Sequence, residues 1–128
     1  FIQQARDYGC EREVFGRPIA RNQGIQFPIA RAYSAMRSAE LMLNEAFRMY
    51  EAGQNPGEEA NLAKLQSADA SWQAAEACIQ TFGGFGFATE YNIERKYREA
   101  RLYQVAPIST NLILSYIAEH VLKMPRSY

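Results

Sequence analysis

The stretch Ile25-Gln-Phe-Pro-Ile-Ala-Arg-Ala-Tyr-Ser-Ala-Met-Arg-Ser-Ala-Glu-Leu-Met-Leu-Asn-Glu-Ala-Phe-Arg-Met-Tyr50 decides the architecture. Ile25, Ile29, Ala32, Met36, Ala39, Leu43, Ala46 and Tyr50 recur at alternating steps of four and three. That spacing keeps one helical face apolar over several heptads. Small residues alternate with large ones in the seam, so neighbouring helices can approach closely. Asn22 is a good N-cap residue. Pro28 falls in the first two turns, where proline costs least or bends the helix. The helix runs to about Ala52, and Gly53-Gln-Asn-Pro-Gly57 turns the chain.

Downstream, a second long helix is expected over Glu58–Phe82. Its opening glutamates favour the helix dipole. Leu62, Leu65, Ala68, Trp72, Ala75, Ile79 and Phe82 form its apolar stripe. Asp69 and Glu76 lie off that stripe and read as a solvated face. Asn92–Tyr103 reads as a short, strongly charged helix with Arg95, Lys96, Arg98 and Arg101 on a basic face and a Glu94–Arg98 pair at i,i+4. Pro107 is expected to open the last helix, whose apolar face is Ile108, Leu112, Ile113, Tyr116, Ile117 and Val121. The lone His120 near its end is assigned no role.

Upstream, residues 1–12 read as the last turns of a helix. Glu11–Gln23 reads as a loop broken by Gly16 and Pro18. No segment alternates with period 2 over a useful length, so no sheet is expected. The fold class is all-α: an up-and-down four-helix bundle with one additional short helix, occupying residues 1–128 as a single domain. Phe1 starts in mid-helix without an initiator methionine, which reads as a piece of a longer chain.

Composition narrows the function classes. The 128 residues carry 14 basic and 14 acidic side chains, a balance that does not suit nucleic acid or an anionic membrane surface. No apolar run approaches the ~20 residues that span a bilayer. Cys10 and Cys78 lie in no metal-spaced pattern. They read as free thiols in a reduced, cytoplasmic compartment, and no metal site is assigned.

Two stretches carry candidate chemistry. Gln80-Thr-Phe-Gly-Gly-Phe-Gly-Phe-Ala-Thr-Glu-Tyr91 places Gly83, Gly84 and Gly86 directly after a helix. Glycine there ends a helix, and it also lets backbone N–H groups approach a ligand. Phe82, Phe85 and Phe87 add apolar walls, a combination that suits a flat, polar cofactor. The plainer reading is a C-cap. In the loop before the heptad helix, Arg12, Arg17 and Arg21 surround Phe15. That arrangement is either a candidate anion site or a solvated loop.

Three elements then line up in order. They are Tyr8-x3-Arg12-x2-Phe15-Gly16-x6-Gln23, Gln80-x2-Gly83-Gly84-x-Gly86, and Glu94-x3-Tyr97-Arg98-x-Ala100. Together they resemble the C-terminal helical domain of the acyl-CoA dehydrogenase family, over nearly the whole chain. The resemblance implies an FAD enzyme of fatty acid metabolism that removes two hydrogens from an acyl-CoA thioester. In the family a carboxylate takes the α-proton and flavin N5 takes the β-hydrogen as hydride. It also implies assembly as a dimer of dimers and an electron acceptor such as an electron-transfer flavoprotein.

By the same resemblance, Arg12, Val14 and Phe15 meet the diphosphate and adenosine portion of FAD, with Gln23 nearby. Gln80, Thr81, Phe82, Gly83 and Gly84 line the ADP moiety, and these contacts go to the FAD of the neighbouring subunit. Ser109, Thr110 and Asn111 match flavin-contacting positions. The departure lies at the usual catalytic acid, where Pro107 stands. Proline cannot abstract a proton, so the base is expected upstream, outside this chain. Two alternatives stay open: a related flavoenzyme or catalytically silent paralogue of the same fold, and a cofactor-free helical interaction domain.

Overall fold

The structure, a computed structural model, describes residues 1–127. Helix α1 (Ile2–Glu11) leads into a hairpin of β1 (Glu13–Val14) and β2 (Arg17–Pro18). Then come α2 (Gln23–Glu51), α3 (Gly57–Phe82), α4 (Ile93–Leu102) and α5 (Thr110–Tyr116), which continues into a π-helical turn at Ile117–Val121. The architecture is all-α, as the hydrophobic periodicity predicts.

Helix α3 is the element the others share. It packs along α2, and α1, α4 and α5 also lie against it. Its buried residues include Ala63, Ala68, Ala70, Ala74, Ala75, Ala77 and Cys78, which point in several directions around the axis. A helix buried on more than one face sits in the middle of a bundle. Beside its C-terminal half, Ala5, Cys78, Phe82 and Ile93 form one buried cluster, with Tyr8 and Ile79 packed against it. Burial also pushes the Cys78 thiol above its ordinary range.

The α2 seam divides by size. Ala32, Ala39 and Ala46 are buried, while Met36, Leu43 and Tyr50 are 40%, 41% and 72% exposed. The alanines let α2 and α3 approach closely. Met36 and Leu43 instead border a groove of about 1240 Å³ that runs between α1, α2 and α3. The close approach expected of the seam's small residues is therefore made at Ala32, Ala39 and Ala46.

Four other expectations are corrected. A sheet is present, though small: Glu13 pairs with Pro18 and Val14 with Arg17. Phe15 and Gly16 form its turn at φ 54° and 74°, the two positive values that a type I′ turn needs. Pro107 does not open the last helix. It follows a cis peptide bond, and the N-cap is Ser109, whose Oγ accepts from Leu112 N–H at 3.3 Å. Asn22 does stand at the N-cap of α2, but its side chain donates to Ile19 C=O at 3.0 Å and caps no helical N–H.

Finally, Asp69 and Glu76 are not simply solvated. Asp69 accepts from Gln104 Nε2 at 2.9 Å, and Glu76 accepts from the Tyr97 hydroxyl. They tie α4 and its following turn to α3. The Glu94–Arg98 pair forms within α4.

Candidate functional site

At the C-terminal end of α3 the backbone leaves the helix through Gly83, which has φ 58° and ψ −134°. That conformation belongs to glycine, since a Cβ would strain it. The chain then makes a 3-10 turn over Gly83–Phe87 and folds back onto α3. Gly86 is buried there. A Cβ on it would lie 3.0 Å from Ile79 Cγ1 and 3.1 Å from Ile79 O. By contrast, a Cβ on Gly83 or Gly84 would meet nothing within 4 Å. One glycine lets the turn pack, and the other two leave open space beside the backbone.

That open space belongs to a cleft of about 490 Å³. Its walls are Tyr8, Arg12, Val14, Ile19, Thr81, Phe82, Gly84 and Phe85. Two stretches distant in sequence therefore converge: the run from the end of α1 through the hairpin to Ile19, and the end of α3 with its glycine turn. The Tyr8 and Phe82 rings stack at 4.1 Å. Tyr91 sets its edge against Phe82 at 5.4 Å and against Phe85 at 5.8 Å.

The Arg12 guanidinium lies 5.6 Å from the centre of the Phe85 ring. Among the described residues it makes no ion pair and no side-chain hydrogen bond. Arg6, Arg37, Arg48, Arg95 and Arg98 all pair with carboxylates. Arg12 alone brings an uncompensated cation, with N–H donors to spare, to the wall of a cleft beside an open glycine backbone. Such a place suits an anion.

The structure thus brings Arg12, Val14, Thr81, Phe82 and Gly84 to one cleft, with Gly83 next to it. Thr81 has its hydroxyl proton committed, donating to Ala77 C=O at 2.6 Å. It can offer a ligand only its oxygen. Gln80 is exposed one residue earlier, and Gln23 is exposed at the start of α2. Phe15 is fully exposed at the hairpin tip. Ser109, Thr110 and Asn111 lie at the start of α5 and do not line this cleft. Pro107 is exposed in the turn before them.

Two participants escaped the sequence reading. Ile19 lines the cleft, and Tyr91 braces its aromatic wall. The signal for Tyr91 was weak, because it is carried by 3-10 turns that have no long periodicity.

Among the described residues no group of three or more His, Cys, Asp or Glu side chains is placed to hold a metal ion. No helix among them is long and apolar enough to cross a membrane.

The fold is that of an all-α bundle domain, with its cleft at a glycine-rich helix end. The family model for the acyl-CoA dehydrogenase C-terminal domain matches residues 1–122. The chain belongs to the acyl-CoA dehydrogenase family, as its C-terminal domain. It is 37% identical to an acyl-CoA dehydrogenase of Mycobacterium tuberculosis, over 99% of this chain and 33% of that protein. It is 36% identical to the mitochondrial short-chain specific acyl-CoA dehydrogenase of Sus scrofa, over 96% of this chain and 30% of that protein. The solved butyryl-CoA dehydrogenase of Megasphaera elsdenii superposes with a TM-score of 0.90 at 25% identity, covering 94% of this chain and 32% of that one. The chain spans about a third of the length of these relatives.

Proposed function

We propose that this chain is the C-terminal third of a flavin-dependent acyl-CoA dehydrogenase, and that its cleft receives the ADP end of FAD. The observation that carries the reading is Arg12, a cation without an ion-pair partner among the described residues, in one cleft with Gly84. The fit is specific in kind: charge for the diphosphate from Arg12, close backbone donors at Gly83–Gly84, and a flat wall of Tyr8 and Phe82. When bound, the flavin supplies a hydride acceptor for the β-hydrogen of an acyl-CoA. The chain's own residues bind and orient.

Ser109, Thr110 and Asn111 are apart from the cleft and are proposed to meet a flavin ring. In the family the ADP contacts reach the neighbouring subunit's cofactor, which makes self-assembly part of the reading. Electrons then leave to a carrier such as an electron-transfer flavoprotein. The α-proton goes to a carboxylate outside this chain, because Pro107 has no basic group. That same proline favours a second reading, a paralogue that binds flavin but lacks dehydrogenase activity.

The test is flavin occupancy of the full-length protein. Arg12→Ala should lower FAD affinity by roughly ten-fold or more, since a charge-assisted hydrogen bond contributes about 1.5–3 kcal/mol. Gln80→Ala should have a milder effect. Unchanged occupancy in both variants would remove the diphosphate site. Flavin binding without turnover of any acyl-CoA would favour the paralogue.

A further inference from the structure

We propose that Phe85 and Tyr91 are positioning residues that hold the Arg12 guanidinium in its binding orientation. The proposal rests on the reading of the cleft as a diphosphate site. An arginine side chain has several rotatable bonds, and fixing them costs entropy when a ligand binds. Among the described residues, Arg6, Arg37, Arg48, Arg95 and Arg98 are each steered by a carboxylate. Arg12 is steered by a ring: its guanidinium lies 5.6 Å from the Phe85 centroid. A cation held over an aromatic face keeps its charge and its N–H edge available. A carboxylate partner would neutralise the charge and occupy the donors. The ring therefore orients Arg12 without competing with an anion.

Phe85 is in turn held from two sides. Behind it, the turn is pinned by Gly86, whose missing Cβ allows contact with Ile79. Beside it stands Tyr91, edge-on at 5.8 Å, which also touches Phe82 at 5.4 Å and Tyr8 at 6.4 Å. Tyr91 does not line the cleft. Any effect of Tyr91 on a ligand there must pass through the rings it braces.

The experiment is an FAD titration of the full-length apoprotein, wild type and variants, with apoprotein melting followed in parallel. Phe85→Leu removes the ring face and should weaken FAD about two- to five-fold, the range for an exposed cation–π contact. Phe85→Tyr keeps the face and should restore affinity to within about two-fold of wild type. The Arg12→Ala/Phe85→Leu double variant should bind no more weakly than Arg12→Ala alone. Tyr91→Leu should weaken FAD in the same direction as Phe85→Leu, and that loss should also vanish in the Arg12→Ala background.

Additive losses in the double variant would mean that Phe85 acts on its own, and would overturn the proposal. So would an unchanged Phe85→Leu beside a weakened Arg12→Ala. An unchanged Arg12→Ala would instead overturn the diphosphate reading, and this proposal with it.

Discussion

The Tyr97 hydroxyl on α4 donates to the Glu76 carboxylate on α3, across 21 residues of sequence. The same tyrosine ring lies 4.6 Å from Trp72, one turn earlier on α3. The Arg101 guanidinium also lies over that indole, 5.5 Å from its ring centre. This cluster fastens a strongly charged helix to the central one. Tyr97→Phe should therefore lower the stability of the chain by about 1 kcal/mol, the usual worth of one hydrogen bond. The bond to Glu76 is the main cause that raises the Tyr97 phenol above its ordinary pKa, followed by desolvation. A group raised in the folded state stabilises fully below its unfolded pKa. That contribution fades as pH climbs through the folded value. Chemical denaturation of wild type and Tyr97→Phe should differ at pH 7 and converge on the alkaline side of the ordinary tyrosine range. A gap that stays constant with pH would show that the hydrogen bond is not the source.

The two thiols should differ in reactivity. Cys78 is 0% exposed, and burial raises its pKa, while Cys10 is exposed. A thiolate is the reactive form. At pH 8 an aromatic disulfide reagent should titrate one thiol in the folded chain and both after unfolding in guanidinium. Rapid modification of two thiols under native conditions would contradict the packing of α1 on α3.

The glycines of the turn should separate folding from binding. Gly86→Ala pushes a Cβ to 3.1 Å from the Ile79 carbonyl, backbone that cannot move aside cheaply. It should destabilise by about 1–3 kcal/mol, as overpacking does. Gly84→Ala meets nothing within 4 Å, so its apoprotein should melt with wild type. The full-length Gly84→Ala protein should nevertheless hold FAD more weakly, since the new methyl group stands on the open backbone. Equal melting of both variants would argue against the tight turn.

The chain expressed by itself should associate. The groove between α1, α2 and α3 is about 1240 Å³ and bordered by apolar side chains such as Ile25, Met36 and Leu43. Contiguous apolar surface of that kind seeks cover. Sedimentation velocity should show a weight-average mass that grows with concentration. A sharp monomer boundary at several hundred micromolar would count against it.

The helices were legible because their apolar spacing is long and regular. The 4,3 rhythm from Ile25 to Tyr50 marks α2 across nearly its full extent. What that rhythm could not tell was which part would be covered, since Ala39 and Leu43 both belong to the seam and only Ala39 is buried. Burial depends on the neighbour's shape, and a periodic pattern carries only direction.

The hairpin was illegible for a different reason. Two-residue strands have no alternation to detect, and its turn places Phe15, a bulky residue, at φ 54°. Such residues rarely adopt positive φ, so Phe15-Gly16 gives little sign of a type I′ turn. Pro107 misled because a proline at a helix start and one in the preceding turn look alike in sequence. The Ser109 side-chain cap makes the difference. At the cleft, the arginine and the glycines were legible as residue types, whereas the ring that steers Arg12 became visible only as a distance.

The alanine content of α3 has a consequence for how this domain can vary. Ala75 is 0% exposed and Ala63 is 2% exposed. At such sites there is almost no side chain to lose, so replacement by glycine opens only a methyl-sized gap and lowers helix propensity by about 1 kcal/mol. Gain of volume is the harmful direction, because a leucine there would drive packed helices apart. Mutational tolerance along α3 is therefore one-sided. Glycine is the accessible neighbour of its fully buried alanines, and the distance between α2 and α3 stays fixed while the exposed faces of both helices are free to drift.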